Sequence, residues 1–184
     1  MKRKTIQEIL AESLHELTKK KTIDKITVRE IVANCDYSVA TFYRYFRDKY
    51  ELAFWDYDQT VDSIIQQAGT GSSARRSILL GWIRSIRKDR DHIINLISNT
   101  SGVDSFSYHI VQKTISSTEL YLQQNGHEYP DNPEFQDMLC LYCYGVISFL
   151  SMWLIKGAEE SDEYIAGVCE KAMPELLRKY LVVE

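Results

Sequence analysis

The sequence predicts an all-α protein of about nine helices: an N-terminal three-helix head bearing a helix-turn-helix, then a larger helical body. Three observations predict this. Apolar residues recur at i, i+3, i+4 spacing in nearly every segment. No stretch of useful length alternates as a strand would. Only three prolines and eight glycines interrupt 184 residues, so long helices meet few breaks.

The first helix is marked by Ile6, Ile9, Leu10, Leu14 and Leu17 on one face, and its basic end, Lys19 to Lys21, suits the negative pole of the helix dipole. The second begins at Thr27. Thr27 and Glu30 have capping-box spacing, and Ile26 with Ile31 has that of a hydrophobic staple. It runs to Asn34 or Cys35. The third opens on Ser38 as N-cap, with Tyr37 and Phe42 at staple spacing, and ends near Phe46. A fourth helix, about 48–68, starts at Asp48, passes Phe54, Val61 and Ile65, and links the two modules. The head is residues 1–50 and the body is residues 51–184. Gly69 to Ser73 is a break. Five helices are expected beyond it: 74–87, 91–99, 103–124, 133–156 and 161–181. Asn132 and Pro133 supply a cap and a proline at the first helical position, after a loop over 125–132.

The formal charge of −4 conceals an asymmetry. Residues 1–50 hold 11 Lys+Arg against 7 Asp+Glu, and the remainder holds 11 against 19. The head is thus fit to hold a polyanion while the acidic body repels it. No apolar run approaches the ~20 residues that cross a bilayer, so a cytoplasmic protein with no membrane partner is expected. Cys140 and Cys143 have C-x-x-C spacing, but they lie in the apolar run from Met138 to Ile155 and no second ligand pair completes a metal site. They read as buried thiols. The chain has no phosphate loop, nucleophile elbow or paired metal ligands. Its four histidines show no spacing logic, and His92 and His109 give no signal as ligands or bases. No enzyme, catalytic residue, cofactor or metal is expected.

Two short helices separated by three or four residues, the second with a polar capped start, are the pattern of a helix-turn-helix. The turn needs a residue at positive φ, and Asp36 sits where one is needed. The first short helix crosses the DNA backbone and braces the second, whose N-terminal residues meet base edges. Val39, Ala40 and Arg44 are placed to face bases. Arg44 suits a bidentate bond to guanine, and Val39 and Ala40 suit thymine methyls. Ser38 and Thr27 cap helices and also offer hydroxyls to phosphates. Tyr45 can reach backbone or base. Phe42 and Phe46 belong to the core. Lys2, Arg3 and Lys4 form either an arm on DNA or a solvated terminus.

From Thr27 to Leu52 the sequence resembles the TetR family of bacterial transcription regulators. Ser38, Thr41, Tyr43, Phe46, Lys49 and Leu52 fall in register with its S-x-x-T-x-Y-x-x-F-x-x-K-x-x-L pattern. Departures are Asp36 for the usual turn glycine, the bulkier Tyr37 after it, and Ala40 for a helix glycine. The resemblance implies that Thr41, Tyr43 and Lys49 hold phosphates. It also implies a homodimeric repressor on a pseudo-palindromic duplex, released by an unknown small-molecule effector. The end of the apolar helix at Trp153 to Gly157, with the acidic start after it, resembles the C-terminal domain of Gram-positive members. One family branch with such a body switches on dihydroxyacetone kinase genes through a partner protein, so an activator, or control by a protein, is the alternative. The last two long helices would form the dimer interface, through Leu139, Tyr142, Val146 and Trp153 on one and Ile165, Val168, Ala172 and Leu176 on the other. An effector pocket among the middle helices would draw on Trp82, Phe106, Tyr108, Tyr121, Tyr144 and Phe149.

Overall fold

A computed structural model describes residues 4–68, 74–102, 105–124 and 130–181. The arm residues Lys2 and Arg3, the Gly69–Ser73 break and most of the 125–132 loop fall outside them. Helices α1 (Ile6–Thr18), α2 (Val28–Ala33), α3 (Val39–Tyr45), α4 (Lys49–Ala68), α5 (Ala74–Lys88), α6 (Arg90–Ser98), α7 (Phe106–Gln124), α8 (Pro133–Ile155), α9 (Asp162–Lys171) and α10 (Glu175–Leu181) follow in order, with a 3-10 turn at Ile23–Lys25. There is no strand among the described residues. The all-α expectation holds, with ten helices among the described residues where the sequence suggested about nine. The expected last helix, 161–181, is two helices. Pro174 has no N–H to give the ladder and its ring crowds the preceding turn, so α9 closes at Ala172 and α10 begins anew.

The chain divides into two compact units, Met1–Thr60 with Asp89–Phe106, and Val61–Lys88 with Ser107–Glu184. In the first, Leu10, Leu14, Ile23, Ile26, Ile31, Phe42, Leu52, Leu96 and Phe106 form a fully buried core. Removal of this apolar surface from water is the main force holding the head. The polar groups left at helix ends are satisfied locally. Thr27 and Glu30 form the predicted capping box, Thr27 N–H donating to the Glu30 carboxylate at 2.8 Å and Glu30 N–H to the Thr27 hydroxyl at 3.3 Å. Lys21 also donates to Glu30, and this ammonium with the Thr27 bonds pulls the Glu30 carboxyl down to about 2. Asn95 on α6 does the same for α1. Its amide donates to the carbonyls of Thr18 (2.8 Å) and Lys21 (2.9 Å), and its oxygen accepts from Ile23 N–H (2.9 Å). The end of α1 and the 3-10 turn are thereby tied to a helix some seventy residues away, an arrangement that periodicity cannot report.

The second unit is built on α8, whose Phe135, Leu139, Cys143, Ile147, Leu150, Trp153 and Leu154 face inward. By length and composition α8 is apolar enough to cross a membrane, which corrects the expectation that no run approaches that length. One side of it is core of this unit. Cys143 and Cys169 are buried here, and burial pushes their thiols up to about 12 and about 11. All four cysteines are free. Helix α5 lies along α9 through charge pairs. Arg84 meets Asp162 (3.4 Å) and Glu163 (3.0 Å), Arg87 meets Asp162 (2.9 Å), and Arg76 meets Glu170. The Arg87 guanidinium also covers the Trp153 ring at 4.8 Å. Gly81 on α5 allows a close approach to α4, since a Cβ there would lie 2.8 Å from Ile64 Cγ2.

Candidate nucleic-acid interface

The helix-turn-helix is fixed by its two caps and the turn between them. After α2 the chain reverses through Asp36 at φ 58°. Asp accepts this left-handed region at less cost than most residues with a Cβ, and the turn closes with Tyr37 N–H donating to Val32 C=O at 2.9 Å. Ser38 then caps α3, its hydroxyl accepting from Thr41 N–H at 3.0 Å and lying 2.9 Å from the Thr41 hydroxyl. Inward, Phe42 and Phe46 are buried, with ring centroids 5.9 Å apart, and Phe46 meets Trp55 of α4 at 5.7 Å. These contacts leave the opposite face of α3 to solvent.

That face carries the residues the sequence assigned to DNA. Ser38, Val39, Ala40, Tyr43, Arg44 and Tyr45 are all exposed, Tyr43 at 57%. Thr41 is half-buried at the edge of the face, and Thr27 is exposed at the start of α2. Arg44 enters no ion pair among the described residues, so its five N–H donors remain available. Arg29 on α2, which neither the capping pattern nor the resemblance singles out, is likewise exposed without an ion pair among the described residues. Its signal was legible as the polar side of a short bracing helix. Lys4 pairs with Glu12 at 2.5 Å.

Lys49 is placed differently. Its ammonium donates to the carbonyls of Asp24 and Ile26, both at 2.7 Å, and burial lowers its pKa. It ties the 3-10 turn to the first residues of α4 instead of projecting as a free cation. Lys49→Met is therefore expected to cost about 1.5–3 kcal/mol of stability, the range for hydrogen bonds to charged groups. Urea melts measure that loss. A change of about one in the salt slope of DNA binding, with no loss of stability, would instead make Lys49 a phosphate contact.

The residues assigned to dimerisation and to a pocket scatter. Leu139, Trp153 and Ile165 are buried within their own unit, while Tyr142, Val146, Val168 and Leu176 are half-buried and Ala172 is exposed. Tyr142 donates to the Cys169 carbonyl at 2.7 Å. The apolar side chains that α8 does present are Leu141 (68% exposed), Tyr144, Met152 and Ile155. Periodicity could not choose between these two sides, because α8 is apolar all round. Of the six pocket residues, Phe106 packs in the first unit against Phe54 (6.1 Å) and Tyr57 (5.2 Å). Tyr108 and Tyr144 are exposed, and Trp82, Tyr121 and Phe149 are half-buried.

A short helix N-capped by Ser38, with one face exposed and the other packed, braced by a second capped helix across a tight turn, defines a helix-turn-helix DNA-binding protein. Residues 10–54 match the family of bacterial regulatory proteins described as the tetR family. That match covers the helix-turn-helix and the start of α4, about a quarter of the chain. Among solved structures, the chain is similar to a dihydroxyacetone kinase operon activator, DhaS, at 15% identity and TM-score 0.66, covering 95% of this chain and 97% of that one. It is also similar to a TetR transcriptional regulator from Rhodococcus sp. RHA1, at 18% identity and TM-score 0.61 over 96% and 99% of the two chains. A third, RolR without ligand, matches at 16% identity and TM-score 0.52 over 93% and 92%. At these identities the likeness is one of fold. No curated protein matches the chain in sequence.

Proposed function

We propose that the protein is a cytoplasmic homodimeric repressor that binds a pseudo-palindromic operator through α3 and lets go when a small-molecule effector binds the body. The observation that carries the DNA reading is the exposed face of α3, with Arg44 and Tyr43 at its centre. Dimerisation is supported by the exposed apolar side chains of α8, Leu141, Tyr144, Met152 and Ile155, which recur on one side of the helix and suit a partner surface. A two-fold dimer would set two α3 helices about 34–36 Å apart, one turn of duplex. An effector acts only through unequal affinity for the DNA-binding and released states; no cofactor is invoked.

The alternative is an activator, or a regulator controlled by a partner protein. It is favoured by the fold likeness to an operon activator. Selection of bound fragments from the source genome tests the core reading. An enriched pseudo-palindrome beside a promoter supports it, and no enrichment with a protein that stays monomeric by light scattering refutes it. Transcription from that promoter with the gene deleted then separates repressor, which predicts a rise, from activator, which predicts a fall.

A further inference from the structure

Away from the α3 face, the first unit brings together three ligand-type side chains from three helices: His15 of α1, Asp56 of α4 and His92 of α6. One nitrogen or oxygen of each lies within 4.8 Å of those of the other two. His15 Nε2 is 2.7 Å from Asp56 Oδ2. The two imidazoles are stacked, centroids 3.8 Å apart and tilted by 20°. His92 is buried, whereas the side chains of His15 and Asp56 are 26% and 28% exposed, which leaves one side of the cluster open to solvent.

The Thr18 hydroxyl lies 2.9 Å from the His15 carbonyl and 2.7 Å from His92 Nδ1. With its one proton on the carbonyl it accepts from His92 Nδ1, and in that tautomer His92 Nε2 has the lone pair. This is how a metal-binding histidine is held: one nitrogen donates to a fixed acceptor, which sets the ring and leaves the other for the ion. The Asp56 carboxylate, an acceptor when ionised, accepts a hydrogen bond from His15 Nε2–H. A cation inserted between those two atoms replaces that proton, which moves to Nδ1 or to solvent. A half-buried carboxylate and two imidazoles with a solvent-facing fourth position suit a borderline divalent ion.

We propose that His15, Asp56 and His92 form a binding site for a divalent transition metal of the zinc type, with water as fourth ligand. Bond lengths of about 2.0–2.1 Å put tetrahedral ligand atoms ~3.3 Å apart, so the His15–Asp56 contact opens, the third ligand, now within 4.8 Å, closes toward that spacing, and the two rings turn out of their stack. The ion would clamp α1, α4 and α6 within the DNA-binding unit. Its positive charge would be balanced by the Asp56 carboxylate, with the Lys19 ammonium acting against it. The site is independent of any effector pocket in the body.

The test is zinc titration of the full-length protein against a chromophoric chelator, with thermal melts of the same samples. One zinc per chain is expected, with a raised melting temperature. His15→Gln and Asp56→Asn should each weaken zinc at least tenfold and abolish the thermal shift, whereas Cys140→Ser should leave both unchanged. Thr18→Val, which keeps volume and removes the acceptor for His92, should weaken zinc about tenfold. Should His15→Gln fail to fold, cobalt substitution decides: the four-coordinate visible spectrum of the wild type must be lost in Asp56→Asn. A wild-type protein that retains no zinc overturns the proposal. So does zinc that binds equally well to His15→Gln and Asp56→Asn, which would place it elsewhere on the chain. Genomic fragment selection reads the DNA function separately, so either conclusion can fail without the other.

Discussion

Phe42→Ala is expected to destabilise the protein by about 3–5 kcal/mol, the range for truncating a buried phenylalanine, and to abolish DNA binding. Phe42 is fully buried, touching the rings of Tyr43 (5.5 Å) and Phe46 (5.9 Å). It is the residue through which α3 is anchored. Its loss removes apolar contact on the inner side of α3 and leaves a void that α2 and α4 cannot fill without moving. A helix of seven residues has little stability of its own, because nucleation is costly and short helices depend on packing. The effect should therefore exceed the cavity cost locally: hydrogen exchange should show α3 amides unprotected while α8 amides stay protected. Phe42→Leu, which keeps most of the volume, should bind DNA with only modestly reduced affinity. Uniform loss of protection across both units would mean that the head does not open on its own.

Arg44→Ala is expected to lower affinity for the preferred operator by 1–3 kcal/mol, about five- to 150-fold, and to do so chiefly by losing discrimination at one base pair. Its guanidinium is exposed, lies in the last turn of α3 and enters no ion pair among the described residues, so the change should leave stability untouched. Tyr43→Ala, one position earlier and the most exposed aromatic of the helix, should weaken binding to every sequence alike. Gel-shift titrations at two salt concentrations, against the operator and a set of single-base variants, separate the two. If Arg44→Ala lowers affinity evenly across the variants and reduces the salt slope by about one, the side chain is on phosphate and not on a base.

The two variants differ because of how α3 is oriented, and that orientation was legible beforehand. Capping boxes and staples are short-range devices: the residues that make them lie three to five positions apart, so their spacing reports them directly. Thr27 with Glu30, Ser38 with Thr41 and the positive φ of Asp36 all occur where the sequence placed them. Phe42 and Phe46 fall inward and Tyr43 and Arg44 outward for the same reason, since a short amphipathic helix has one apolar side.

Long-range pairing was not legible. The resemblance gives Lys49 to phosphate, and only the fold brings the carbonyls of Asp24 and Ile26 to its ammonium. His15, Asp56 and His92 are far apart in sequence and carry no motif, yet three helices bring them within 4.8 Å.

The sequence by itself determined most of the helices, the turn, the exposed face of α3 and the basic head, because each is written in the spacing of neighbouring residues or in local charge. Only the tertiary structure decided which side of α8 is core and which is surface. That helix is apolar around its whole circumference, so no period within it distinguishes Leu139 from Leu141; the first is buried and the second 68% exposed solely because of what packs against them.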